Sequence, residues 1–164
     1  MSKILEAGDS VVDFALPDYT GAQRESLDAR RSGPLLYVLY KKSCPTCQYA
    51  LPYLERLHRQ YSARGLTVWG VAQESREDAA AFAREYGLTF PQLVDADLDV
   101  TEQHAITNVP TVYLVDSGPT VLDMVVGFVS ARYNELSRRI AEMVGAAYEP
   151  IVRPEDGAPA LKPG

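Results

Sequence analysis

The chain has 164 residues and a mass of 18.1 kDa, with 46% apolar and 23% charged residues. That size and balance suit one domain with its own core and exclude a chain too polar to fold. Its formal charge of −6 repels a phosphate backbone or an anionic bilayer surface at long range, so nucleic acid is not an expected partner, and no apolar run reaches the roughly 18 residues a membrane span needs.

Residues 8–21 mix short apolar runs with turn formers (Pro17-Asp18, Thr20-Gly21) and predict a short strand and a hairpin. Leu35–Tyr40 (LLYVLY), set between Gly33-Pro34 and Lys41-Lys42, is a continuous apolar run of strand length, as expected of a strand buried on both faces at the sheet centre. After it, Cys47, Leu51, Leu54 and either Leu57 or His58 recur at helical spacing, predicting a helix from about residue 45 to Gly65, with a kink ahead of Pro52. Leu66–Ala72 reads as a second strand. Ser75 with Asp78 three residues later opens a helix that Gly87 stops.

Phe90–Val94 is a third predicted strand and Leu98–Ala105 a short helix; Thr111–Val115 and Val121–Gly127 form an antiparallel hairpin about Asp116-Ser117-Gly118-Pro119. A last amphipathic helix runs from Ser130, expected as its cap, to Ala146, with Leu136, Ile140, Met143 and Val144 on its inner face. Residues 1–148 are thus expected to form the domain. Residues 149–164, with Pro150, Pro154, Pro159 and Pro163, read as a flexible Pro/Gly-rich tail. Alternating strands and helices make the class α/β, with a central mixed sheet covered by helices on both faces.

The two cysteines, Cys44 and Cys47, are too few and too close for a disulfide scaffold. Cys44-Pro45-Thr46-Cys47 stands where a central strand gives way to a helix, the end of an α/β sheet at which chemistry collects. Unpaired N–H groups and the helix dipole favour an anion there, and a thiolate is the anion available. Cys44 sits at the helix mouth near Lys41 and Lys42, whereas Cys47 lies one turn in, facing the core. Cys44 is therefore the expected nucleophile and Cys47 the resolving thiol of a disulfide exchange, the pair serving as its own redox group with no other cofactor. A zinc site would need further ligands, and the histidines His58 and His104 form no ligand-spaced pair, so no metal is expected. A structural disulfide across so small a loop would stabilise little.

These residues, with Val109-Pro110-Thr111 leading into the last hairpin, resemble the thioredoxin fold. Gln73–Asp78, Tyr86–Pro91 and Leu93-Val94-Asp95 resemble more specifically the TlpA/ResA-type thiol-disulfide oxidoreductases of the wider redoxin (AhpC/TSA-like) group. The resemblance covers about residues 8–146 and implies an inserted strand-helix unit after the first βαβ. Pro110 matches the family's cis-proline, which would leave the Val109 backbone free to pair with an extended substrate; Pro45 and Thr46 would complete the contact surface. Glu74 matches an acid placed beneath the active site, where it would accept the Cys47 proton; its other reading is a solvent-facing acid ahead of a helix. Val38 stands where thioredoxin itself has a buried aspartate, and Ser43 replaces the usual tryptophan before the first cysteine. Trp69 reads as core, and His104, in the place of a family tyrosine, as a packed side chain.

The implied activity is exchange with protein or small-molecule disulfides, as a reductase fed by an upstream electron donor. Two alternatives remain at this level. One is a peroxiredoxin-like thiol peroxidase, although Lys41 and Tyr37 occupy the positions where such enzymes place a hydroxyl and a proline. The other is a non-enzymatic redox-sensing module. The opening Met1–Asp9 has no apolar leader, so the expected compartment is cytoplasmic unless a leader has been removed.

Overall fold

In Leu35–Tyr40 all six side chains are buried, and alternate ones enter different cores. Leu36, Val38 and Tyr40 point to one face, Leu35, Tyr37 and Leu39 to the other, as the two-residue period of a strand requires. The structure, a computed structural model, describes residues 3–164; Met1 and Ser2 of the expected domain lie outside the described residues.

A hairpin of β1 (Ala15–Pro17) and β2 (Gln23–Glu25) and a short helix α1 (Ser26–Ser32) precede the central strand β3 (Leu35–Tyr40). Then follow α2 (Pro45–Tyr61), β4 (Thr67–Ala72), α3 (Arg76–Tyr86), β5 (Gln92–Val94), α4 (Asp99–Gln103), β6 (Thr111–Val115) and β7 (Asp123–Val126). The main sheet has the order β5-β4-β3-β6-β7. β3, β4 and β5 run parallel, while β6 is antiparallel to both β3 and β7. This is the mixed sheet the sequence predicts, with α3 and β5 as the inserted unit.

Helices cover both faces. Leu51 and Leu54 of α2, Ala79 and Phe82 of α3, and Leu136 and Ile140 of α5 (Ser130–Val144) join the core beneath Leu36 and Val38. Val100 of α4 and Ala29 of α1 join Phe14, Tyr37, Trp69 and Tyr113 on the opposite face. Burying a side chain of this kind contributes about 1.5–3 kcal/mol, so β3 alone ties the two layers together.

Local signals fix most boundaries. The Ser75 hydroxyl accepts from the Asp78 N–H, and Gly87 closes α3 at φ 66. The helical run of α2 continues unbroken through Pro52 and ends at Tyr61; a 3₁₀ turn, Ser62–Arg64, carries the chain on to Gly65. Two expectations change. The cap residue of α5 is Val129, without a side-chain cap, and the Ser130 hydroxyl instead donates to the Pro159 carbonyl.

The proline-rich end, expected to be flexible, is packed. Ile151 and Val152 are buried, and the Asn134 side chain accepts from both of their N–H groups and donates to the Val152 carbonyl. The Arg56 guanidinium holds Asp156 at 2.7 and 3.0 Å and also reaches the Ile151 carbonyl. Past Gly157, β9 (Leu161–Lys162) pairs antiparallel with β8 (Phe128–Val129). The prolines leave the segment extended, but two apolar residues and a set of side-chain partners from α2 and α5 give it somewhere to dock.

Candidate active site

β3 ends at Tyr40 and delivers a three-residue turn, Lys41–Ser43, to the mouth of α2. Several bonds hold this turn. The Lys42 N–H donates to Glu74 Oε1 at 2.9 Å, Gln48 Nε2 donates to the Lys42 carbonyl at 2.7 Å, and the Cys44 N–H donates to the Lys41 carbonyl. Cys44 is the cap residue, with Pro45 in the first turn, where its missing N–H costs nothing. The Cys47 N–H donates to Cys44 Sγ at 3.1 Å. Cys44 Sγ thus occupies the capping position that an oxygen takes in ordinary helices.

The second wall is the Val109–Pro110 segment, whose peptide bond is cis, as the resemblance implies. Cys44 Sγ donates to the Val109 carbonyl at 3.5 Å, so the first cysteine and the proline loop meet. Thr111 Oγ1 donates to the Asn108 carbonyl and the Gly127 N–H to the Pro110 carbonyl, fastening the loop to β6 and to the end of β7. Both thiols are free, with Cys44 half-buried and Cys47 fully buried in the apolar core. Burial, then the neighbouring Cys44, pushes the Cys47 thiol far above the ordinary range. The pair is therefore asymmetric: Cys47 stays protonated while Cys44 faces the helix mouth.

Glu74 is half-buried, and its carboxylate meets the Lys42 amide; among the described residues no hydrogen bond joins it to Cys47. Lys42, expected to support the thiolate, instead pairs its ammonium with Asp78 at 2.8 Å. His104 is packed, as expected. Its Nδ1 meets the Val100 carbonyl at 2.8 Å and its Nε2 the Tyr37 hydroxyl at 2.7 Å. A carbonyl can only accept, so Nδ1 carries the hydrogen and Nε2 accepts from Tyr37.

Sequence reasoning missed two participants, Asn108 and Gln48, and the partner that Thr46 takes. Thr46 Oγ1 donates to the Pro163 carbonyl, Asn108 Nδ2 donates to the Gly164 oxygen, and Gln48 fastens the turn before Cys44. The position of Asn108, next to Val109-Pro110, was the one available signal.

The sequence profile of the AhpC/TSA family matches residues 7–124, most of the chain. The chain belongs to the AhpC/TSA family. Among curated relatives of this AhpC/TSA chain, "Thiol-disulfide oxidoreductase ResA" of Halalkalibacterium halodurans is 30% identical over 114 residues, covering 69% of this chain and 64% of that protein. "Thioredoxin-like protein YneN" of Bacillus subtilis is 27% identical over 135 residues, covering 80% and 78%. A crystal structure of a candidate thiol:disulfide interchange protein DsbE from Chlorobium tepidum superposes with a TM-score of 0.76 at 26% identity, covering 86% of this chain and 99% of that one. Tyr37 and Lys41 stand where the peroxidase reading would place a proline and a hydroxyl. Tyr37 is buried with its hydroxyl on His104, and Lys41 is an exposed lysine.

Proposed function

We propose that the protein is a thiol-disulfide oxidoreductase that works as a reductase through Cys44 and Cys47. The observation that carries this reading is the Cys47 N–H pointing at Cys44 Sγ at the start of α2, with the second sulfur buried one turn behind it. The relatives named for thiol-disulfide exchange support it.

The Cys44 thiolate attacks one sulfur of a substrate disulfide; a new S–S bond forms to Cys44 and the other substrate sulfur leaves as a thiolate. Cys47 then attacks Cys44 Sγ, forming the Cys44–Cys47 disulfide and releasing the second substrate thiolate, which takes the proton Cys47 gives up. Two electrons pass to the substrate, and an upstream dithiol donor restores the pair. Pro45 and Val109 border the reacting sulfur, with Thr46 and Pro110 buried behind them. Glu74, through its bond to the Lys42 amide, holds the turn that presents Cys44 and so acts as a positioning residue.

Trapping tests the order of attack. Cys47→Ser should accumulate a mixed disulfide with a protein substrate, because the first step proceeds and the second cannot, whereas Cys44→Ser should trap none. Equal trapping by both variants overturns the assignment, and a turnover of peroxide that exceeds insulin reduction favours the peroxidase instead.

A further inference from the structure

The C-terminal segment consists of two parts held in different ways. Its root, Glu149–Gly157, is fixed by buried Ile151 and Val152, by the Asn134 side chain and by the paired Arg56–Asp156 contact. Gly157, in the left-handed region at φ 62, ends the root. Beyond it the chain is held almost wholly through its backbone. The Pro159 and Ala160 carbonyls accept from the Ser130 hydroxyl and N–H, β9 lies along β8, and the Pro163 carbonyl and Gly164 oxygen accept from Thr46 and Asn108. Side chains contribute little, since Leu161 is 59% exposed and Lys162 makes only a loose approach to the Tyr49 ring, 5.3 Å from its centroid.

This strap runs into the active site. Thr46 belongs to the cysteine motif and is buried, and Asn108 adjoins Val109, whose carbonyl receives Cys44 Sγ. A methyl group built on Gly164 would come within 2.7 Å of that same carbonyl. Gly127 allows the close approach from the other side, because a Cβ there would lie 2.8 Å from the Lys162 carbonyl. An extended chain added to the edge of β8, with its carbonyls on side-chain donors, is a strand-addition contact that is indifferent to sequence.

We propose that Leu161–Gly164 is a resident occupant of the place where an extended segment of a disulfide substrate docks, so that a substrate must displace it to reach Cys44. This rests on the oxidoreductase reading for its substrate, but the cover itself can be measured without one. The well-anchored root keeps the strap at high local concentration, and its backbone-only hold makes it exchangeable for another extended chain. The protein selects, on this view, substrates whose disulfide lies in a segment extended or unfolded enough to compete.

The test uses the full chain in a Cys47→Ser background, so that Cys44 is the sole thiol. Ser130→Ala with Asn108→Ala removes two donors to the strap, and Gly164→Val separately crowds its end off the Val109 carbonyl. Loss of two such bonds should raise the rate of iodoacetamide alkylation of Cys44 roughly tenfold, and Gly164→Val should raise it about threefold. Millimolar peptide with the sequence of residues 158–164 should slow the loosened protein again. With Cys47 present, insulin reduction should rise in step. Alkylation that stays at the parent rate in both variants, with circular dichroism unchanged, overturns the proposal. Alkylation that rises while no form reduces insulin supports the cover and overturns the oxidoreductase reading.

Discussion

The two faces of the central sheet are built alike and used differently. On the face of α2, α3 and α5 the apolar layer reaches up to Cys47 and stops at a helix mouth, where a half-buried sulfur, a carbonyl and a few loop bonds form the site. On the other face Phe14, Tyr37, His104 and Tyr113 close around two buried polar bonds of His104, with ring centroids 5.1–5.8 Å apart. A titratable ring is fully buried and silent in one place, and a hydrogen-bonded sulfur is left half-exposed in the other. What separates the candidate site from structure here is placement at an accessible helix end, rather than the mere presence of a polar group.

The largest effect that could break this contrast comes from His104→Ala. It removes a fully buried ring and strands the Tyr37 hydroxyl, so urea unfolding should show a loss of about 3 kcal/mol, from the cavity and the unpaired group together. Disulfide exchange per folded molecule should be unchanged. A drop in exchange with stability intact would make the silent face catalytic.

Next in size is the dependence on acid. Burial holds the His104 imidazole below its ordinary range and favours the neutral ring in the fold. The unfolded ring titrates near about 6.5, so this stabilisation is complete above that pH and is lost as the pH falls through the window between the unfolded and the lower folded value. Burial lowers His58 of α2 in the same direction. Comparing the slope of unfolding free energy against pH for the parent and His58→Gln divides it between the two faces, and a flat profile below pH 6.5 would contradict both assignments.

The smallest effect should be at Glu74. If its carboxylate only holds the Lys42 amide, Glu74→Gln keeps an acceptor and should leave mixed-disulfide resolution within about twofold, while Glu74→Ala loosens the turn and slows the first attack by a few-fold, the loss of one hydrogen bond. Slow resolution in Glu74→Gln, with Cys44 alkylation unaffected, would restore the acid to the role of proton acceptor for Cys47.

Much of this was legible in the sequence because it is local. The six-residue apolar run predicts β3, Ser75 and Gly87 bracket α3, and a cysteine pair at a strand-to-helix junction places both sulfurs. Pro110 was found through family resemblance, which carries long-range information that spacing does not. What escaped was settled at a distance. Pro150, Pro154, Pro159 and Pro163 describe an extended chain but say nothing of Asn134, Arg56 or Thr46 waiting for it. Ser130 has the composition of a helix cap, yet its hydroxyl is taken by a carbonyl 29 positions along.

The bond from Thr46 to Pro163 spans 117 positions, and that from Arg56 to Asp156 spans 100. Contacts so far apart in the chain close late, after local elements have formed, because a long loop must first give up its freedom. The spacing of the two sulfurs, by contrast, is set at the end of β3 and in the first turn of α2, and the Val109 carbonyl that meets Cys44 comes from only 65 positions away. On the proposal of a covering strap, Cys44 is therefore in place before its cover, and a chain emerging in order of synthesis passes through an interval in which Cys44 stands open and the strap has yet to arrive.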